Sequence, residues 1–402
     1  MRVGPLAVRW LAEHRGYDEG RQFEDVQLEG PFRSWRHTHR FEPDGDDACV
    51  LEDRIEFEPP GGRLGSVLAT RSIRRKLAST FAYRHRITAG DLTMHQATQL
   101  SPMHILLSGS SGLVGSALAP LLTTSGHRVS RLVRNSGTSG ADDVPWNPES
   151  EEIDLERLAG IDAVVHLAGE SIASGRWSAA KKERIRRSRV EGTRNLCRAL
   201  AALKSLPKTL VSASAIGIYG DRGDELLDEQ SSTGRGFLAQ VCQQWEDATT
   251  EAEAAGIRVV HLRFGLILSP AGGALAKMLL PFQLGLGGIL GSGRQYMSWI
   301  ALDDVLGSIY HTLATGSLRG AVNCVAPDPV TNRQFTKALG QVLRRPTVLP
   351  APAFAMKLAM GEMAQELLLA SQRVQPKRLL ESSYAFRFSE LTNALTHVLG
   401  KS

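Results

Sequence analysis

Two hydrophobic rhythms divide the chain. Up to about residue 95 the period is two. Trp35, His37, His39 and Phe41 alternate with Arg36, Thr38 and Arg40, and Ile55 and Phe57 alternate with Arg54, Glu56 and Glu58. Alternation of this kind turns one face to a core and the other to water, so 22–30, 33–43 and 49–59 read as strands. The "PPGG" of 59–62 is a turn, and a helical stretch follows from about Leu64 to Arg86. Antiparallel strands followed by one long helix predict a small α+β unit.

From Met103 onward, apolar runs of strand length alternate with helical stretches. The runs are "HILLSG" (104–109), "HRVSRLVR" (127–134), "DAVVHLAG" (162–169), "TLVSASAIGIYG" (209–220), "RVVHLRFGLIL" (258–268) and "AVNCVAP" (321–327). Continuous apolar runs mean strands buried on both faces, hence an α/β fold with a doubly wound parallel sheet. Beyond Pro346, an amphipathic "KLAMGEMAQELLLASQRV" (357–374) and "SELTNALTHVLG" (389–400) predict a helical end.

The first apolar run leads into "SGSSGLVGSAL" (108–118), with Gly109, Gly112 and Gly115 three apart. A glycine turn between a strand and a helix suits a pyrophosphate. The first glycine makes the tight turn, the second admits the ligand and the third packs helix on sheet. The helix start adds free N–H groups and a positive dipole end. Candidate contacts here are Gly109, Ser111, Gly112, Leu113, Val114 and Gly115. The end of the second strand chooses between dinucleotides. Where an acid would hold the ribose hydroxyls of NAD, this chain has "RLVRN" (131–135). Arg134, with Asn135 and Arg131 beside it, suits a 2′-phosphate and so NADP; the other reading is that these arginines are merely exposed. Leu167, Ala168, Gly169 and Glu170 end the third strand of the sheet, where small residues let backbone lie along the cofactor.

The remaining bulk properties narrow the picture further. With 402 residues, 42% hydrophobic content and a net charge of +5, the chain is a two- or three-domain globular protein, only mildly basic. The basic runs "RSIRRK" (71–76) and "KKERIRRSR" (181–189) are either solvated helix faces or attractors of an anionic ligand, and nucleic acid is not indicated. Cys49, Cys197, Cys242 and Cys324 are scattered, which indicates neither a zinc site nor a disulfide framework and fits a reducing compartment. The N-terminus has no signal-peptide shape and no apolar run is long enough for a span, so a cytoplasmic protein without a membrane partner is expected.

The motifs together resemble the short-chain dehydrogenase/reductase superfamily in its extended, epimerase-like branch. They are "SGSSGLVGSAL", "DAVVHLAG", "VEGTRNL" (190–196), "SASAIGIYG" (212–220) and "SWIALDDV" (298–305). Within that branch "GRWSAAKKERIRRSRVEGT" (175–193), "CQQWEDATTEAEAAGIRVVHLRFGLILS" (242–269) and "GEMAQELLLASQRVQPKRLL" (361–380) resemble the atypical NADP-binding epimerase family proteins, which end in a helical domain of unknown function. The first segment resembles the C-terminal half of a helix-grip, START-like domain. This implies a partial grip at 1–95 with no independent ligand binding, a Rossmann NADP-binding domain at 103–345 and a helical domain at 346–400. A homodimer is a superfamily expectation.

Working members of the superfamily use a Tyr-x-x-x-Lys pair and a serine or threonine on the preceding strand. None of the tyrosines at 17, 83, 219, 296, 310 and 384 has Lys four residues on. With Glu246 as anchor, Leu238 takes the tyrosine position and Cys242 the lysine position. The resemblance puts Ser214 at the serine position and brings Ser212 and Arg263 toward the cofactor. It also makes "LGLGGILGSGRQ" (284–295) a loop over the cleft, with Trp299 and Asp303 closing it. Ala301 stands where the family usually has histidine. Tyr219 ends the Ser214 strand and is the replacement proton donor, or else a packing residue. Ser214 is a proton-handling or a small core residue. Glu170 is a ligand-edge acid or an exposed loop acid, and Lys181 and Arg187 could meet an anionic substrate. His166 and His261 read as core residues. Cys242 as nucleophile would need a depressed pKa.

The implied function is an NADP(H)-binding oxidoreductase or epimerase-like enzyme on a small carbonyl or sugar-nucleotide-like substrate. The alternatives are a non-catalytic NADPH-binding regulator and a scaffold without cofactor.

Overall fold

The computed structural model describes residues 2–3, 6–46, 48–59, 62–134, 140, 142–150 and 153–401, so the candidate Asn135 lies outside the described residues. Two compact units divide between His85 and Arg86.

In the first unit β1 (Leu11–Asp18), β2 (Gln22–Glu29), β3 (Ser34–Pro43) and β4 (Cys49–Glu58) form a four-stranded antiparallel sheet in sequence order. Helix α1 (Gly62–Thr98) starts where expected but runs twelve residues past Arg86, because only Gly90 interrupts "RITAGDLTMHQAT" and no proline stops it. The alternation on β3 is imperfect. His37 and His39 are buried, and so is Thr38, which donates to Glu24 Oε1 at 3.1 Å.

The second unit is a seven-stranded parallel sheet. Its strands are β5 (His104–Ser108), β6 (Arg128–Val133), β7 (Asp143–Pro145), β8 (Ala163–His166), β9 (Thr209–Ala215), β10 (Arg258–Phe264) and β11 (Gly320–Cys324), in the order β11-β10-β9-β8-β5-β6-β7. Helices α2 (Leu113–Thr124), α3 (Ala179–Ala201), α4 (Phe237–Asp247), α5 (Thr250–Ala254), α6 (Gly273–Gln283), α7 (Leu302–Ala314) and α8 (Asn332–Leu343) intervene or follow. One apolar cluster packs Ile105, Leu107, Leu118 and Leu122 with Ile309 and Val322, and another packs Leu106, Val164 and Leu210 with Leu196 and Leu200. Ile105 and Leu106, adjacent on one strand, belong to different clusters. That is the mark of a sheet covered on both faces, and it gives the doubly wound Rossmann-like fold expected from the sequence.

Three boundaries differ from the sequence reading. The run 209–220 ends as a strand at Ala215 and turns through a 3₁₀ segment, Ile216–Tyr219, into Gly220 at φ 63°. The run 258–268 breaks at Gly265, where a Cβ would sit 2.5 Å from the Ser298 carbonyl oxygen; Leu266–Leu268 then pairs in parallel with Trp299–Ala301. The amphipathic stretch 357–374 is broken by Gly361 at φ 65°, so α9 (Ala353–Met360) is short and a π-helical turn, Gln365–Leu369, follows. The short β7 had no sequence signal, since three residues on a sheet edge carry no period.

Candidate functional site

The glycine turn joins β5 to α2 at the carboxyl end of the sheet. Gly109 has φ 68°, and a Cβ there would lie 2.7 Å from the Leu167 carbonyl carbon and 2.9 Å from Ala168 N. A Cβ on Gly115 would lie 2.2 Å from the Gly109 oxygen. Both positions therefore admit only glycine. Gly112 and Ser111 are exposed, and Gly112 gives α2 no side-chain cap, so the first helical N–H groups, those of Leu113 and Val114, point out of an uncapped end. An uncapped helix start after a glycine-rich turn with only small side chains fits a dinucleotide pyrophosphate.

Ser108 ties this turn to the end of β8. Its Oγ accepts from Leu167 N at 3.0 Å and lies 2.7 Å from His166 Nδ1, to which it donates. His166 Nε2 then donates to Thr193 Oγ1 at 3.0 Å, which also accepts from Trp245 Nε1 at 2.9 Å. Burial pulls the His166 pKa down to about 4, so the ring is neutral and structural, as its apolar strand suggested. His261, bonded to Thr249 Oγ1 at 2.9 Å, is also a core residue.

Arg134 follows β6, is exposed, and makes no hydrogen bond or ion pair among the described residues. Arg131 is not available beside it, because its guanidinium holds Asp143 at 2.7 and 2.8 Å. Glu170 sits past β8, where its carboxylate accepts from Lys181 Nζ and its carbonyl accepts from Arg189 Nη1 at 2.9 Å. The Lys181 hydrogen bond, opposed by partial burial, holds the Glu170 carboxyl below its usual range. Lys181 itself is only 5% exposed and also donates to Ser174 Oγ at 2.7 Å. Arg187 pairs with Glu191 and Arg186 with Glu183, so this part of the basic run is a solvated, self-paired helix face.

Four candidates are buried. Ser212 is fully buried in the middle of the sheet, in register between His166 and His261. Ser214 donates to Glu246 Oε1 at 2.7 Å. Arg263 clasps the same carboxylate, Nε to Oε1 at 2.8 Å and Nη2 to Oε2 at 2.7 Å, and donates from Nη1 to the Tyr219 hydroxyl at 2.9 Å. Tyr219, fully buried, donates in turn to Asn323 Oδ1 at 2.8 Å or to the Asp228 carbonyl at 2.9 Å. Strand register explains the cluster: Ser214, Arg263 and Asn323 lie side by side on β9, β10 and β11. Burial raises the Tyr219 pKa despite the Arg263 charge, the reverse of what a proton donor near neutrality needs. Tyr219, expected to point near a substrate, is enclosed by Arg263, Asn323 and the Asp228 carbonyl.

The helix that would carry the Tyr-x-x-x-Lys pair is α4. Leu238 and Cys242 are buried there, and burial pushes the Cys242 thiol up to about 12, the opposite of the depressed pKa a nucleophile would need. The N-terminus of α4 is filled by the chain itself: Glu366 accepts from Phe237 N and Leu238 N, both at 3.1 Å. Gly236, at φ 111°, makes room, since a Cβ would meet Glu366 Oε1 at 2.4 Å. The segment 284–295 packs against 349–351, where Gly291 N donates to the Ala351 carbonyl at 2.9 Å. Trp299 is fully buried, with Nε1 on the Asp328 carbonyl at 3.0 Å, and Asp303 pairs with His397.

Glu246, Asn323 and Glu366 escaped the sequence reading as site residues. The available signal was a charge in an apolar run: Arg263 within "VVHLRFG" and Glu246 within "CQQWEDA" each needed a buried partner of opposite sign.

Comparison with known proteins agrees with this geometry. The profile of the NAD dependent epimerase/dehydratase family matches residues 105–324, and that of a domain of unknown function, DUF1731, matches 351–398. An epimerase family protein of Mycobacterium bovis is 45% identical over 291 residues, 72% of this chain and 96% of its own length. The crystal structure of the nucleoside-diphosphate sugar epimerase from Corynebacterium glutamicum is 35% identical and covers 98% of this chain and 78% of its own, with a TM-score of 0.80. That of the human epimerase family protein SDR39U1, with NADPH, is 32% identical and covers 74% of this chain and 99% of its own, with a TM-score of 0.68. The fold and the glycine turn define a Rossmann-type nucleotide-binding protein. The chain belongs to the NAD dependent epimerase/dehydratase family.

Proposed function

We propose that the protein binds NADP(H) and acts as an oxidoreductase or epimerase-like enzyme on a small carbonyl or sugar-nucleotide-like substrate. The observation that carries the reading is Arg134, unpaired among the described residues, together with an uncapped turn that needs glycine at 109 and 115, with no acid where NAD would need one. The human relative with NADPH supports it. In this reading the N–H groups of Leu113 and Val114 take the pyrophosphate and Arg134 takes the 2′-phosphate. The backbone of Leu167, Ala168 and Gly169 lies along the ribose. The dinucleotide, when bound, supplies or accepts a hydride. The Glu170–Lys181 ion pair stands past the carboxyl end of β8, where a parallel sheet presents its ligands. Ser214 and Arg263 bond Glu246, and Tyr219 bonds Arg263, a connected polar group on the neighbouring strands.

A second reading, a non-catalytic NADPH-binding regulator, is favoured by the enclosure of Ser214 and Tyr219 and the apolar Leu238 and Cys242. Calorimetric titration with NADPH and NADH tests binding first. Preference for NADPH of at least about ten-fold, or about 1.4 kcal/mol, supports the shared core of both readings. Binding of neither removes both. Oxidation of NADPH by any member of a carbonyl panel then selects the enzyme.

The free thiols of the described cysteines suit a reducing compartment, and we place the protein in the cytoplasm. Among the described residues no helix is long and apolar enough to cross a membrane. We read residues 1–95 as a partial helix-grip and the assembly as a homodimer.

A further inference from the structure

We propose that the N-terminal unit holds a divalent transition metal of the zinc class on Asp25, His37 and His39, with Asp53 steadying the imidazoles from behind. Strand register brings these groups to one face: Asp25 of β2 stands opposite His37 of β3, and His39 stands opposite Asp53 of β4. One ligating atom from each of Asp25, His37 and His39 lies within 4.8 Å of the others. His39 Nε2 is 3.7 Å from Asp25 Oδ2. Tetrahedral ligands at zinc distances of about 2.0–2.2 Å stand about 3.4 Å apart, so this pair needs little movement.

The remaining hydrogen bonds have the form that metal-bound imidazoles use. His37 Nε2 and His39 Nδ1 both meet Asp53 Oδ1 at 2.9 Å, so one nearly buried carboxylate oxygen fixes both rings. Each imidazole keeps its other nitrogen. Asp25 Oδ1 is buried and makes no hydrogen bond, although His14 Nδ1 stands 2.6 Å away as an ion-pair partner, so the carboxylate keeps lone pairs that a bound cation could take. Asp53 also lines a cavity of about 530 Å³ between the sheet and α1, with Ile55, Phe57, Leu77 and Phe81 around it. Two histidines and one carboxylate are a mixed nitrogen and oxygen set that suits zinc over magnesium or calcium, and the fourth position is left to water. This departs from the expectation that the segment binds nothing by itself.

The test uses untagged full-length protein, stripped with chelator and titrated with Zn²⁺ against a chromophoric competitor. Wild type is expected to take one equivalent, and Co²⁺ in its place to give a tetrahedral absorption spectrum. Asp25→Asn, nearly isosteric, is expected to weaken Zn²⁺ at least ten-fold with an unchanged far-UV spectrum. Asp53→Asn keeps all three ligands and is expected to lose about 10–100-fold. NADPH binding in the second unit stays as it was in both variants. Absence of saturable Zn²⁺ binding by wild type overturns the proposal. So does undiminished affinity in Asp25→Asn combined with His39→Ala.

Discussion

Glu246 on α4 holds Arg263 on β10 through both carboxylate oxygens, at 2.8 and 2.7 Å, with each side chain about nine-tenths buried. Burial opposes the charge on Glu246, but the Arg263 hydrogen bonds and charge outweigh it and keep the carboxyl below its usual range. Glu246→Gln leaves a buried guanidinium half-partnered and is expected to cost about 3–5 kcal/mol in urea unfolding at pH 7. A carboxylate with a depressed pKa stabilises above its unfolded value and loses that contribution as pH falls through the folded value. The gap between wild type and Glu246→Gln should therefore narrow below about pH 4. A gap constant from pH 7 to 3 would contradict the pairing.

Tyr219→Phe separates scaffold from catalyst. The hydroxyl lies between Arg263 Nη1 and Asn323 Oδ1. Its loss should lower stability by about 1–3 kcal/mol and leave NADPH affinity unchanged. If a turnover is found and kcat falls by more than about a hundred-fold with KM unchanged, Tyr219 is a proton donor after all.

Arg134→Ala is expected to weaken NADPH by about ten- to a hundred-fold while NADH changes little, because in the proposed function the guanidinium meets only the 2′-phosphate. Calorimetry reads both. Equal losses for the two nucleotides would place Arg134 elsewhere on the ligand.

Thiol labelling reports the packing. Cys197, Cys242 and Cys324 are buried, with burial pushing each thiol up to about 12, whereas Cys49 is exposed. One equivalent of iodoacetamide should react with the native protein at pH 8 and four in denaturant. Fast labelling of Cys242 would reopen it as a nucleophile.

Asp304 gives stability a second pH dependence. It accepts from Arg387 N at 2.8 Å and Phe388 N at 3.0 Å, yet burial raises its pKa to about 6. An acid with a raised pKa contributes stability below its unfolded value and loses it as pH rises through the folded value. Wild type should lose roughly 3 kcal/mol against Asp304→Asn between about pH 4 and 7, on top of a constant offset for the lost acceptor. Denaturation curves for both across that range check it.

The sequence by itself determined the sheet and the turn. Apolar runs of strand length and helical intervals need no distant information, since the period of each segment is a property of its own residues. The glycines at 109, 112 and 115 are legible for the same reason: backbone conformation and close approach are local demands. Tertiary structure decided which polar groups remain available. Arg131 and Arg134 look alike in sequence, but Asp143, on a strand with no signal, removes one of them. Ser214 and Tyr219 read as proton-handling candidates and Arg263 as a cofactor contact, and only the fold shows that Glu246 and Asn323, from α4 and β11, bond them. The histidines of β3 read as one face of a strand, and only the pairing of β2, β3 and β4 sets Asp25 and Asp53 beside them. Periodicity fixes which way a side chain faces. Long-range register fixes what it meets, and that is where the chemistry of this protein lies.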